Sequence, residues 1–282
     1  MTKLDAQFHI RTMRPQEIEL AVDWAAMEGW NPGHADAACF ATVDPQGFLR
    51  GEIDGAPAAT ISIINYDPGF SFLGFYIVRP DLRGRGHGMA IWRAAIAHAG
   101  RRTIGLDGVI AQQENYRKSG FALAHRNIRF GGQVAASSSV VPGIVALSDI
   151  PFAEVEQDDV FPAPRTTFLR AWQQAPGHVG RAFIQDGRLG AWGVIRPART
   201  GYKIGPLVAD DRAAAQAVLD ALIGAVGGGE VFLDVPEPHR EAVALAESYA
   251  LAPVFETARM YTGPVRPMRL DRVFGVTTFE LG

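Results

Sequence analysis

The residues whose types and spacing point most directly to chemistry are Arg83-Gly84-Arg85-Gly86-His87-Gly88. They follow the apolar run Phe70 to Val78, which reads as a strand stopped by Arg79-Pro80, and they precede a helical pattern from Met89 to Ala99. A strand that feeds a glycine-rich turn into a helix gathers backbone N–H groups and the positive end of the helix dipole at one point, which suits a phosphate. Without Cβ atoms at Gly84, Gly86 and Gly88 the backbone can close around a pyrophosphate, and Arg83 and Arg85 can add charge-assisted hydrogen bonds, with Arg79 close enough to help. The dinucleotide fingerprint G-x-G-x-x-G does not fit, because the third glycine comes one residue early and Met89 stands in its place. A P-loop is excluded too, since no Gly-Lys-Ser/Thr follows.

The elements that must position this loop are legible around it. Phe8 and Ile10 alternate with His9 and Arg11 as in a strand, and Pro15 then opens a helical spacing of Ile18, Ala21, Val22 and Ala25. Trp30-Asn31-Pro32-Gly33 ends that helix. Phe48 to Ile53 meets Ala56 to Ile64 across Asp54-Gly55, a two-residue hairpin signal. Past the loop, Ile91, Ala95 and Ala99 share one helix face and Gly100 caps its end. Thr103 to Ile110 reads as a strand, Gln113 to Ser119 as a short helix, and Phe121 to Phe130 as a strand. Gln133 to Gly143, closing on Pro142-Gly143, reads as a linker, which divides the chain into residues 1–135 and 144–282.

The second part replays the order of the first. A hairpin turn at Asp186-Gly187 lies 22 residues before Val208, where a strand ends, and the matching distance from Asp54 to Val78 is 24. Leu106-Asp107 in one copy matches Leu233-Asp234 in the other, so a tandem duplication is expected. The copies differ at the phosphate turn, where the second continues from Val208 into Ala209-Asp210-Asp211-Arg212 without a glycine. One phosphate site per chain follows. Leu233-Asp234-Val235-Pro236 and the strand Val254 to Tyr261 correspond to the positions that line the cleft in the first copy, so the two copies are expected to face one another across it. A chain ending near residue 135 is then expected to keep the phosphate-bearing ligand but lose any chemistry that needs the second half.

Composition sets the outer bounds. The chain has 282 residues, 48% hydrophobic and 20% charged, with a formal net charge of -3. That balance gives no ground for nucleic-acid or membrane binding, both of which favour a basic surplus, so any anion site must be local. One cysteine, Cys39, can form neither an internal disulfide nor a thiolate metal site, and suits a reducing cytoplasm. The seven histidines show no His-x-x-x-His pair, and no metal is expected. No stretch reaches the roughly 18 apolar residues of a membrane span. The oligomeric state is open, and a homodimer is compatible with these features.

At the loop the sequence resembles the GNAT superfamily of N-acetyltransferases. Arg83 to Gly88 matches its acetyl-CoA motif of Arg or Gln, two residues, Gly, one residue, then Gly or Ala, and Tyr116-Arg117-Lys118-Ser119-Gly120-Phe121 resembles its Tyr, three residues, Gly-Phe segment. The resemblance covers residues 8 to 130, and the remainder resembles the divergent second domain of a tandem-domain subgroup. It implies an α/β (α+β) fold of two GNAT-like domains, each with a mixed, mostly antiparallel sheet flanked by helices. It further implies that acetyl-CoA is the cosubstrate, with its pantetheine arm on backbone groups of Tyr76, Ile77 and Val78. Its pyrophosphate would lie on Arg83, Gly84, Arg85, Gly86, His87 and Gly88, and its sulfur near Tyr116. The family often carries an Asn seven positions before this tyrosine; here that position is Val109, and Asn115 or Gln112 is the nearby substitute.

Amine attack on a thioester needs a neutral amine, whereas an ordinary primary amine has a pKa of ~10.4, so a base has to take a proton. Asp107, Glu28 and Asp67 fall at strand or helix ends around the expected pocket, and Asp107 is preferred. The strand Ser71 to Val78, where the family often places a glutamate, carries no acid. Tyr116 is the expected donor to the departing thiolate. The reading is acetyl transfer to a primary amine of a small molecule; the competing one is a CoA-binding sensor or interaction module without turnover, which a thiol-release assay separates.

Overall fold

The computed structural model describes residues 7–136, 141–156 and 159–282. In chain order the first half runs β1 (Phe8–Thr12), α1 (Ile18–Met27), α2 (Asp36–Phe40), β2 (Phe48–Ile53), β3 (Ala56–Asn65), β4 (Phe70–Val78), α3 (His87–Ala99), β5 (Thr103–Val109), α4 (Gln113–Lys118) and β6 (Ala122–Ala135). The second half runs β7 (Ile144–Ala146), α5 (Phe152–Glu156), α6 (Thr166–Gln174), β8 (Val179–Gln185), β9 (Arg188–Pro197), β10 (Tyr202–Ala209), α7 (Arg212–Ala225), β11 (Gly228–Pro236), α8 (Arg240–Ser248), β12 (Ala252–Tyr261) and β13 (Val273–Gly275). Both hairpins turn where expected, with Asp54 and Asp186 at φ 51° and each followed by a glycine of positive φ. That pair of left-handed residues gives a turn whose twist matches the flanking strands.

The strands form one sheet in the order β1-β2-β3-β4-β5-β12-β6-β11-β10-β9-β8-β7, with β13 on β10. The halves exchange their closing strands: β12 lies against β5, and β6 lies against β11. The linker expected from Gln133 onward begins later than its composition suggests, because Gln133, Val134 and Ala135 still pair with Glu230, Gly229 and Gly228. Residues 137–140, inside that expected linker, lie outside the described residues. A cut near residue 135 therefore divides the sequence without dividing the sheet. It would strip β12 from the edge of β5, so near-normal cofactor binding by such a fragment is no longer expected.

The exchange is sealed by two equivalent ion pairs. Asp107 on β5 stands opposite Arg259 on β12, and Asp234 on β11 stands opposite Arg129 on β6. Both arginines are bidentate, at 2.7 and 2.5 Å in the first pair and 2.6 and 2.8 Å in the second. Such fork-to-carboxylate geometry recovers much of the desolvation that burial costs each charge.

Helix α3 buries Ile91, Trp92, Ala95 and Ala99, the face that its i, i+4, i+8 spacing marks, against β2, β3 and β4. Removing each large side chain of that face from water contributes about 1.5–3 kcal/mol. On the other face of the sheet, Phe40 of α2 stacks with Phe168 and Trp172 and meets Phe75 edge-on, so one apolar cluster joins elements of both halves. The second half has its own core around α7 and α8.

Candidate active site

The site begins at a defect in β4. Phe75 has φ 48°, and the pairing of β3 with β4 slips there, between Thr60 and Ser62. The Thr60 hydroxyl donates to the Phe75 carbonyl at 2.8 Å, which holds the bulge. Parallel pairing with β5 extends from Phe70 to Leu73 only, after which β4 keeps β3 as its partner and leaves β5. The splay opens a cavity of about 460 Å³ lined by Tyr76, Ile77 and Val78 of β4 and by Leu106 to Val109 of β5.

At the mouth of the cavity the glycine loop enters α3. Gly84 and Gly86 have φ of 75° and 87°, a region that residues with a Cβ rarely adopt. Gly86 is the N-cap of α3 and no side chain caps that end, so the orphan N–H groups of its first turn are not claimed by a capping residue. Gly88 is needed for a different reason: a Cβ there would meet the Tyr76 hydroxyl at 2.7 Å. Gly84, Gly86 and Gly88 line the cavity, as does Arg83. The Arg83 guanidinium donates to the Val78 carbonyl and pairs with Glu28 at 2.5 Å across the mouth.

Tyr116 forms part of the opposite wall. Its ring stacks on Trp92 at 5.9 Å and meets Phe121 edge-on, and a Cβ at Gly108 would collide with it. Burial pushes the Tyr116 phenol up to about 12, with Tyr76 adding to the shift, so it keeps its proton across the physiological range.

The other expected residues divide. Asp107 borders the cavity, but both of its oxygens are engaged, by Arg259 and by the Asn127 amide at 2.8 Å. Burial lowers the Arg259 pKa, but the Asp107 charge, Tyr261 and their hydrogen bonds together outweigh it and raise it, while burial pushes the Asp107 carboxyl up against the opposing pull of Arg259. Asp107 is thus an anchor of the strand exchange, which argues against a base. Asp67 is spent on its own turn, accepting from the backbone N–H groups of Gly69 and Phe70 and pairing with Arg266. Asn115 donates to Gln112 at 2.7 Å and does not line the cavity, whereas Gln112 and Val109 do. Arg85 and His87 are also outside the lining; the His87 ring packs on Phe8 at 4.6 Å. Arg79 pairs with Asp81. Among the described residues no three His, Cys, Asp or Glu side chains gather to share a metal.

Trp30 does reach the cavity, held by Arg129 of β6, and the second half grips the residues that follow it. Its carbonyl accepts from Arg129 at 2.7 Å, Asn31 exchanges two hydrogen bonds with Thr200, and Asp36 pairs with Arg196 in a fully buried ion pair. The second half also contributes Phe255 and Thr257 of β12, and Phe279 and Glu280 from the segment that follows β13. Sequence reasoning had no access to Phe279 and Glu280, because no motif or periodicity ties them to a loop nearly two hundred residues earlier.

A splayed mixed sheet with a helix starting at the split is the GNAT architecture; both halves of this chain have it, and the first keeps the uncapped glycine-loop helix. The chain belongs to the GNAT acetyltransferases: residues 14–121 match the Acetyltransferase (GNAT) family and residues 156–275 an Acetyltransferase (GNAT) domain. Acyl-CoA-dependent acyl transfer is accordingly its activity. Over 99% of its length it is 29% identical to a holothin acyltransferase of Pseudoalteromonas sp. (strain SANK 73390), covering 97% of that protein. A candidate acetyltransferase from Pyrococcus horikoshii has the same fold over the whole chain, with a TM-score of 0.83 at 23% identity and 99% of that chain covered. A tandem GNAT protein from the clavulanic acid biosynthesis pathway aligns over 92% of this chain and 99% of its own, with a TM-score of 0.62 at 14% identity.

Proposed function

We propose that this chain transfers an acetyl group from acetyl-CoA to a primary amine of a small molecule, in the cavity between β4 and β5. One observation carries the reading: the split strand edge, the uncapped start of α3 and Tyr116 all line one cavity. The start of α3 with Gly84, Gly86 and Gly88 would bind the pyrophosphate through backbone N–H groups, with Arg83 and Arg85 contributing charge at its edge. The edge of β4 from Tyr76 to Val78, which lacks a partner strand on the β5 side, would take the pantetheine arm as a strand-like neighbour. A backbone N–H there would polarise the thioester carbonyl. Tyr116 would donate a hydrogen bond to the sulfur as the thiolate departs.

The apolar lining from Leu73, Phe75, Trp30 and Phe255 supports a small acceptor. No helix among the described residues is long and apolar enough to cross a membrane. The buried Cys39 thiol, pushed up to about 12 by its burial, is unreactive and agrees with a cytoplasmic setting.

The test is Tyr116→Phe. Acetyl-CoA affinity measured by calorimetry should stay within a few-fold, and turnover measured by thiol release should fall ~10²-fold if donation to the sulfur assists the reaction. Unchanged turnover would reduce Tyr116 to a packing residue.

A further inference from the structure

Three acids line the cavity: Glu28, Asp107 and Glu280. Glu28 is paired with Arg83, and Asp107 is clamped by Arg259 and Asn127. Glu280 differs from both. It is 2% exposed, and neither carboxylate oxygen has a hydrogen-bond partner among the described residues. A buried carboxylate without donors is costly, and such a group in a cavity wall has a physical reason to receive a cationic or N–H-bearing ligand.

Its position is held by the main chain. The segment 276–282 passes the bulge of β4 so closely that a Cβ on Gly74 would lie 2.1 Å from the Glu280 carbonyl oxygen. Beyond Glu280, the Tyr66 hydroxyl donates to the Leu281 carbonyl at 2.8 Å, and Arg165 donates to the Gly282 carbonyl and to the Thr277 hydroxyl. Thr278 closes a turn by accepting from the backbone N–H of Leu281 at 2.9 Å. The carboxylate lies within electrostatic reach of Arg129 and Lys203, both of which also face Asp234.

We propose that Glu280, delivered from the second half beside Gly74, is the catalytic base that receives the acceptor amine's proton. The inference rests on the acetyl-transfer reading above. The amine nitrogen forms its bond to the thioester carbonyl carbon, and the carbon–sulfur bond breaks. The nitrogen's proton passes to the Glu280 carboxylate, and CoA leaves as a thiolate hydrogen-bonded by Tyr116. Removing a proton from a free ammonium of pKa ~10.4 is steeply uphill for a carboxylate, but the nitrogen becomes acidic as its bond to carbon forms, so transfer accompanies attack. The strand Ser71 to Val78 carries no acid, and the backbone of Glu280 passes Gly74 of that same strand, both residues lining the cavity.

The test uses the full chain with acetyl-CoA and three probe amines, benzylamine, tyramine and aniline, followed by thiol release. With an amine that the unaltered chain acetylates, Glu280→Gln should lower kcat by ~10²–10⁴-fold, the usual worth of a positioned base. Acetyl-CoA affinity by calorimetry and the Tm should hardly change, and Glu280→Asp should recover part of the lost rate. If Glu280→Gln does not fold, Glu280→Asp alone should still lower kcat with acetyl-CoA binding intact. A kcat for Glu280→Gln within threefold of the unaltered chain overturns the proposal, as does a loss that merely follows weaker acetyl-CoA binding. Binding of acetyl-CoA without turnover of any probe overturns the transfer reading to these amines and the proposal with it, an outcome distinguishable because the unaltered chain itself is then inactive.

Discussion

In the first half β4 leaves β5 after Leu73 and Leu106; in the second half β10 leaves β11 after Ile204 and Leu233. The two splits are equivalent down to a glycine at the divergence, Gly74 in one and Gly205 in the other. Their fates are opposite. The first split is the cavity, whereas in the second β13 pairs with Leu207 and Val208 and fills the place that an extended ligand arm would take. The helix starts differ in the same sense. Gly86 leaves α3 uncapped, while the Asp211 carboxylate caps α7 by accepting from the Ala214 N–H at 2.8 Å. In the second half the chain itself satisfies backbone groups that stay open in the first, β13 at the split and Asp211 at the helix start. The segment that closes the second site continues past Gly205 to Gly74 and carries Glu280 into the first.

Breaking the surviving site should have the largest effect. Gly86→Glu requires a side chain at φ 87° and places negative charge on the helix start, so acetyl-CoA binding by calorimetry should vanish. The unaltered chain should show one site per chain. A second site of similar affinity would end the distinction between the halves.

Next in size is the exchange that joins them. Arg259→Ala leaves Asp107 buried without its bidentate partner, and breaking such a pair costs about 3–5 kcal/mol, to be read from denaturant unfolding. Arg129→Ala should cost a similar amount by the same logic, with Lys203 moderating the loss because it lies 3.8 Å from Asp234. A much smaller cost at Arg259 would mean that the sheet is not held together by the paired arginines.

The smallest effect sharpens the contrast at the helix starts. Asp211→Ala removes the α7 cap and should destabilise the fold by ~1 kcal/mol without creating acetyl-CoA affinity, since β13 still occupies the split. Gained affinity would show that the aspartate, and not the inserted strand, silences the second half.

What was legible in the sequence was local. Asp54-Gly55 and Asp186-Gly187 declare their turns because left-handed backbone needs those residue types, and Ile91, Ala95 and Ala99 declare a buried face because helical spacing aligns them. The glycine loop and the repeat of element order are of the same kind, so the family, the tandem arrangement and the position of Tyr116 were readable. The tertiary structure alone decided which half's strand lies beside β5, that β13 closes the second split, and that Asp107 faces Arg259 while Glu280 faces no donor. The reason is that a carboxylate carries no local signature of its role. Whether it anchors, caps or accepts a proton depends on the groups packed against it, and here Arg259 beside Asp107 and Gly74 beside Glu280 lie more than one hundred and fifty residues away along the chain.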